Sequence, residues 1–134
     1  MYPNGQVTFV LNGRTVTVDA EPSRSLLDVL RDDLGIMSPK SGCAPEGACG
    51  CCTVLINGRP RLSCAVAAVR VAGKRVTTLG GLPDDVREPL AESFVRAGAC
   101  QCGFCIPGIA LRAVALVQEN PSATREQIAG KLRD

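Results

Sequence analysis

Cysteine spacing carries the chemistry of this chain. Cys43, Cys49, Cys51 and Cys52 crowd into a glycine-rich loop running from Gly42 to Val54, and Cys64 follows beyond the next turn signal. A C-x4-C-x2-C run completed by one distant cysteine is the plant-type ligand pattern of a 2Fe–2S centre. Here Cys49 and Cys52 form the C-x2-C pair, Cys64 is the distant cysteine, and Cys43 stands one residue farther out than that pattern. Four thiolates must converge while backbone N–H groups point at the sulfurs and offset negative charge. Gly42, Gly47 and Gly50 let the main chain come that close. The loop reads as that of an iron–sulfur electron carrier.

Two other chemistries use cysteines at such density. A disulfide framework suits a small secreted chain, but Met1-Tyr2-Pro3-Asn4-Gly5 does not read as a signal peptide, and adjacent Cys51-Cys52 pair awkwardly. A structural zinc site is the stronger rival, because Cys49-x2-Cys52 is half of one. Zinc sites of that kind use two C-x2-C pairs, whereas Cys43 and Cys64 stand apart. The chain has no histidine, which excludes Rieske ligation and any mixed cysteine–histidine zinc site.

A second motif lies in the other half. Gly98 to Gly108 contains Cys100, Cys102 and Cys105, and Cys102-x2-Cys105 is spaced for shared metal ligation at the mouth of a helix, where the helix dipole favours thiolates.

The elements that must position these motifs can be read from pattern. Val7–Val10 and Thr15–Val18 are β-branched runs joined by Asn12-Gly13, a strong hairpin signal. Ser25 caps a predicted helix from Leu26 to Leu34 that places Leu26, Leu27, Leu30 and Leu34 on one face and stops at Gly35. After the cysteine loop, Thr53–Ile56 and Arg59–Ser63 form a second hairpin around Asn57-Gly58 that delivers Cys64 beside the loop, and Arg75–Thr78 adds a short strand. This order suits a β-grasp ferredoxin-like domain. Beyond Gly80-Gly81-Leu82-Pro83 the pattern turns helical, with helices expected over 88–97, 107–118 and 124–132, Pro107 in a first turn, and Asn120-Pro121 as a stop.

Composition narrows the partners. The 134 residues suit one domain or two very small ones, with 46% hydrophobic and 21% charged residues, as in an ordinary folded chain. Aromatics are 3%, so the core rests on Val, Leu, Ala and Ile and benefits from clusters or partner subunits. A net charge of +2 points to neither nucleic acid nor a membrane surface, and no apolar run approaches a membrane span. Eight cysteines with no secretory signal point to a reducing compartment, with cytoplasmic location as the expectation. Arg59, Arg61, Arg70, Lys74 and Arg75 read as solvated surface, and Asp32-Asp33 and Asp84-Asp85 as helix-end and turn residues rather than catalytic acids.

From about Val7 to its C-terminus the chain resembles the small iron–sulfur subunit, or N-terminal iron–sulfur region, of the molybdenum hydroxylases, the group of xanthine dehydrogenase, aldehyde oxidoreductase and aerobic carbon monoxide dehydrogenase. The resemblance rests on Leu26-Leu27-Asp28-Val29-Leu30-Arg31, the run from Cys49 to Gly58, Ser63-Cys64, and the run from Gln101 to Gly108. The two cysteine motifs in this order are highly specific. The resemblance implies an α+β fold: a β-grasp 2Fe–2S domain over residues 1–79, then a small helical-bundle domain over 80–134 that is incomplete at its C-terminus. It implies that Cys43, Cys49, Cys52 and Cys64 hold a first 2Fe–2S cluster and that Cys102 and Cys105 hold one side of a second. Gln101 would contact the molybdopterin of a large partner subunit, and electrons would pass from molybdenum through the clusters to an FAD-binding subunit or another acceptor.

Two departures accompany the resemblance. One is the extra residue between Cys43 and Cys49, read as a loop insertion around Ala44-Pro45. The other concerns a C-x-C pair that completes the helical cluster in the family and would be expected next after Asp134. A following polypeptide could supply the pair, Cys100 could complete a modified site with Cys51 or an outside ligand, or the second site could be empty. The favoured reading of Cys51 and Cys100 is as small buried side chains. The leading expectation is a non-catalytic electron-transfer subunit of a molybdenum hydroxylase. The rivals are a free-standing plant-type ferredoxin and a zinc-stabilised interaction module.

Overall fold

The computed structural model describes residues 5–133, so Asp134 and most of the N-terminal stretch read above for a leader lie outside the described residues. Strands β1 (Gln6–Leu11) and β2 (Arg14–Asp19) pair antiparallel, with Phe9 opposite Val16. Their turn, Asn12-Gly13, has φ of 50° and 83°, the left-handed pair that a two-residue hairpin needs. Asn57-Gly58 repeats this at 50° and 78° between β3 (Thr53–Ile56) and β4 (Arg59–Leu62). Strand β5 (Arg75–Thr77) inserts between the hairpins, parallel to β1 and antiparallel to β3, giving a sheet of order β2-β1-β5-β3-β4. Asn12 ties its turn to the chain after β5, donating from Nδ2 to Thr78 Oγ1 at 2.9 Å and accepting from Thr78 N–H at 2.9 Å.

One face of the sheet buries Val7, Phe9, Leu11, Val54 and Val76 against Leu26, Val29, Leu30 and Val71. The expected helix over 26–34 is only partly formed. Ser25 Oγ accepts from Asp28 N–H at 3.1 Å and starts α1 (Leu26–Asp28), but the next turn, Val29–Asp33, widens into a π-turn in which Leu34 N–H reaches back five residues to the Val29 carbonyl. Three of the four leucines serve one core, with half-buried Leu34 packed against it, and Leu27 departs. Leu26 and Leu30 enter the main core, Leu27 turns toward Cys52 and Cys64, and Leu34 is only half-buried.

The helical segments follow. Helix α2 (Asp84–Arg96) starts four residues earlier than expected and carries Pro89 inside it. The hydrogen bond that Pro89 cannot make would have gone to the carbonyl of Asp85, an exposed residue that water can serve. Helix α3 (Ile106–Glu119) lays Leu111, Val114 and Ala115 against Leu55 of β3 and Leu82, so the sheet is sandwiched between α1 and α3. Helix α4 (Arg125–Arg133) opens with reciprocal bonds, Gln127 N–H to Thr124 Oγ1 at 3.2 Å and Thr124 N–H to Gln127 Oε1 at 2.9 Å, which form a capping box. The architecture is a ferredoxin-like mixed sheet followed by a helical region.

Candidate metal centre

Between the widened turn at Val29–Asp33 and β3 the chain has no helix or strand, and four cysteines lie in that stretch. All eight cysteines of the chain are free thiols. Cys43 Sγ accepts from two successive backbone amides, Ala48 N–H and Cys49 N–H, each at 3.2 Å. Oriented amides of this kind stabilise a thiolate. The Glu46 amide closes the loop on the Cys43 carbonyl at 2.9 Å, and Gly47 at φ 65° and Gly50 at φ 76° turn the chain around the thiols. The insertion read at Ala44-Pro45 lies in this turn, with a cis peptide bond.

The loop brings the sequence-predicted residues together in two pairs. Cys43 and Cys49 share the outer, more exposed rim, and Cys43 acts on the Cys49 thiol. Cys52 and Cys64 are buried together on Leu27 and Leu62. Ser63, fully buried and next to Cys64 in the chain, donates Oγ–H to the Cys52 carbonyl at 2.6 Å and so ties the two backbones together. Cys43 lies close enough to Cys64 for its charge to act there, which joins the pairs across the loop. Among the described residues no three Cys, Asp or Glu side chains gather as around one metal ion. A 2Fe–2S centre needs two protein thiols at each of two irons, and the observed pairing has that form.

Electrostatics differ across the site. The Cys51 backbone N–H, assisted by Cys43, lowers the Cys49 thiol to about 7. Burial, and then the neighbouring Cys52, raise Cys64 to about 11. Burial beside Cys49 likewise raises Cys51 to about 11. The thiolate is the metal ligand, so Cys49 presents it near neutral pH whereas Cys64 is protonated there unless a metal displaces the proton. Gly42 lets the main chain approach the Cys49 thiol: a Cβ there would lie 2.9 Å from Cys49 Sγ and 3.4 Å from the Phe104 ring.

The second motif packs directly on the first. Cys105 is the N-cap of α3 and Pro107 stands in its first turn. Three residues after Cys105, buried Gly108 lets α3 lie on the backbone of the first loop, because a Cβ there would sit 2.3 Å from the Gly50 carbonyl oxygen. This contact went unread in the sequence, although a glycine inside a strongly helical run was its available signal. It brings Cys105 near enough to Cys51 for their charges to interact. Gln101, Cys102 and Cys105 are all exposed. Cys51 is buried, as expected. Cys100 is not: it lies exposed in the irregular link before α3, where no element covers it, so the reading of it as buried packing fails.

Comparison with known proteins agrees with both motifs. Residues 9–77 match the model of a 2Fe–2S iron–sulfur cluster binding domain, and residues 78–134 match that of a [2Fe-2S] binding domain. The chain is 44% identical over 119 residues to the nicotinate dehydrogenase small FeS subunit of Eubacterium barkeri, covering 88% of this chain and 75% of that one. Quinoline 2-oxidoreductase from Pseudomonas putida 86 superposes with a TM-score of 0.87 at 34% identity over 96% of this chain and 79% of its matched chain. The aldehyde oxidoreductase of Desulfovibrio desulfuricans ATCC 27774 superposes at 0.88 with 37% identity, over 96% of this chain and 14% of that longer one. Both matched domains are 2Fe–2S-binding types, so the chain has the capacity for such clusters.

Proposed function

We propose a detailed function from one premise: the chain belongs to the family of small 2Fe–2S-binding subunits shared by xanthine dehydrogenase and aldehyde oxidoreductase enzymes. It is an electron-transfer iron–sulfur subunit of a molybdenum-hydroxylase-type oxidoreductase complex, and its part is non-catalytic. In the proposed assignment Cys43, Cys49, Cys52 and Cys64 hold the first cluster. Cys102 and Cys105 hold one side of a second. When bound, these clusters supply one-electron acceptance and release. The division of labour follows residues 1–79 and 80–134.

The observation that carries the assignment is the double pairing of Cys43 with Cys49 and Cys52 with Cys64 around one glycine-rich loop. The chain's residues hold and orient. Amides of Ala48 and Cys49 neutralise charge at Cys43, Ser63 ties the Cys52 and Cys64 backbones together, and Leu27 and Leu62 keep water from the inner pair. Gln101, exposed just before the second motif, would contact the molybdopterin of a large partner subunit, and an FAD-binding subunit would receive the electrons. Association with molybdopterin- and FAD-bearing subunits is implied by the relatives. Their names, nicotinate dehydrogenase, quinoline 2-oxidoreductase and aldehyde oxidoreductase, support an N-heterocycle or an aldehyde as the substrate of the complex. No helix among the described residues is long and apolar enough to cross a membrane. The eight cysteines support a reducing compartment, and we place the complex in the cytoplasm on that ground.

Iron and acid-labile sulfide are to be measured on anaerobically purified chain, alone and with its partners. About two irons alone, rising to about four in the complex, is the expected result. Cys49→Ser or Cys52→Ser should abolish or strongly alter the EPR signal of the first reduced cluster. An unchanged signal in both variants overturns the ligand assignment.

A further inference from the structure

Arg112 is unusually placed for a helix arginine. It lies seven residues after Cys105 and four after Gly108, so the three share the stripe of α3 that faces the cysteine loop. Because Gly108 admits the helix so closely, the guanidinium reaches the loop, and its Nη1 lies 3.9 Å from where a Cβ on Gly50 would be. Gly50 stands between Cys49 and the Cys51-Cys52 pair. Arg112 is half-buried, and the ion pairs formed among the described residues involve Arg24, Arg87 and Arg96 rather than Arg112. With Arg61 it lines a cleft of about 240 Å³ that opens along Gly47, Ala48 and Gly50. A positive charge with no ion-pair partner among the described residues therefore projects onto the loop from a neighbouring element.

We propose that Arg112 is a positioning charge that raises the reduction potential of the cluster held by Cys43, Cys49, Cys52 and Cys64. The inference rests on that ligand assignment. A 2Fe–2S centre on four thiolates is a dianion when oxidised and a trianion after one electron, so a fixed cation favours the reduced form. The effect is stronger beside a half-buried helix than in open water, because the local dielectric is lower and salt screens less. The other arginine lining the same cleft, Arg61, is more exposed and so acts through more solvent. Docking of α3 on Gly50 thus does two things at once. It sets the second cysteine motif beside the first, and it delivers the charge that makes the first a better acceptor.

The test is an EPR-monitored potentiometric titration of the assembled complex carrying wild-type chain, Arg112→Lys, Arg112→Gln or Arg112→Glu. The midpoint of the first cluster should follow the charge: near wild type with Lys, lower with Gln, lower again with Glu. Where one variant fails to assemble, the order of the others decides. A midpoint that is the same in all of them, or that shifts as far with Lys as with Gln, overturns the proposal and assigns Arg112 to packing. Failure of the underlying assignment looks different: the wild-type complex would then give no 2Fe–2S signal that depends on Cys49 and Cys52.

Discussion

The close approach of α3 to the cysteine loop makes Gly108→Ala a decisive perturbation. A Cβ at this position would lie 2.3 Å from the Gly50 carbonyl oxygen, 3.2 Å from the Gly50 carbonyl carbon and 3.3 Å from the Cys51 Cα. The first contact is about 1 Å short of van der Waals separation. The atoms on both sides belong to backbone, so no side chain can swing away, and either α3 or the loop must shift. Overpacking of this kind costs about 1–3 kcal/mol, and a rigid backbone contact belongs toward the upper end. Alanine recovers up to about 1 kcal/mol of helix propensity, which leaves a net loss of about 1–2 kcal/mol. For a chain of this size that is a fall in Tm of roughly 3–8 °C. Gly130→Ala is the matched control: it lies within α4 with nothing within 4 Å of its would-be Cβ, and it should gain a fraction of about 1 kcal/mol. Thermal unfolding followed by circular dichroism reads both. A Gly108→Ala chain at least as stable as Gly130→Ala would show that α3 does not press on Gly50 and would remove the basis for joining the two motifs.

Gly42→Ala places a Cβ 2.9 Å from Cys49 Sγ, so it should displace one candidate ligand and lower the iron retained per chain severalfold with little effect on Tm; unchanged iron content and EPR signal would show that Cys49 has room to spare. In metal-free protein the Cys49 thiol, lowered from 9.0 to about 7, keeps its thiolate as pH falls until about 7, where an ordinary thiol is already protonated. Its alkylation rate should therefore inflect near pH 7, and at that pH exceed an ordinary thiol's by roughly five- to tenfold after allowing for the weaker nucleophilicity of a more acidic thiol. A profile inflecting near 9 would refute the role of the Cys51 amide.

The legible part of this fold is the part written in local chemistry. Asn12-Gly13 and Asn57-Gly58 announce their turns because only a few residues accept two successive left-handed conformations, and both adopt φ near 50° and 80°. Strand β3 has the expected bounds because its β-branched run starts directly after the last loop cysteine. Ser25 and Thr124 cap their helices through side-chain oxygens visible in the sequence. What local pattern does not contain is where two distant segments touch. Leu26 and Leu30 serve the sheet core while Leu27 between them serves Cys52 and Cys64. No periodicity records that division. The exposure of Cys100 is likewise a fact about what fails to cover it.

The candidate site divides along the same line. Ligand type and spacing are sequence properties, and the thiols of Cys43, Cys49, Cys52 and Cys64 stand around one loop where the motif put them. Their unequal acidity is a tertiary property, set by an amide pointing at Cys49 and by apolar side chains around Cys64. The relation between the two motifs depends on a single missing side chain. With a Cβ at position 108, α3 or the loop would have to give way, and the approaches of Cys105 to Cys51 and of Arg112 to Gly50 would change with it. An electron carrier needs its redox centres close and its charges fixed, since distance governs transfer and local charge governs potential. In this chain one glycine meets both requirements, so a substitution that ligates nothing is expected to disturb electron transfer as surely as one that removes a thiol.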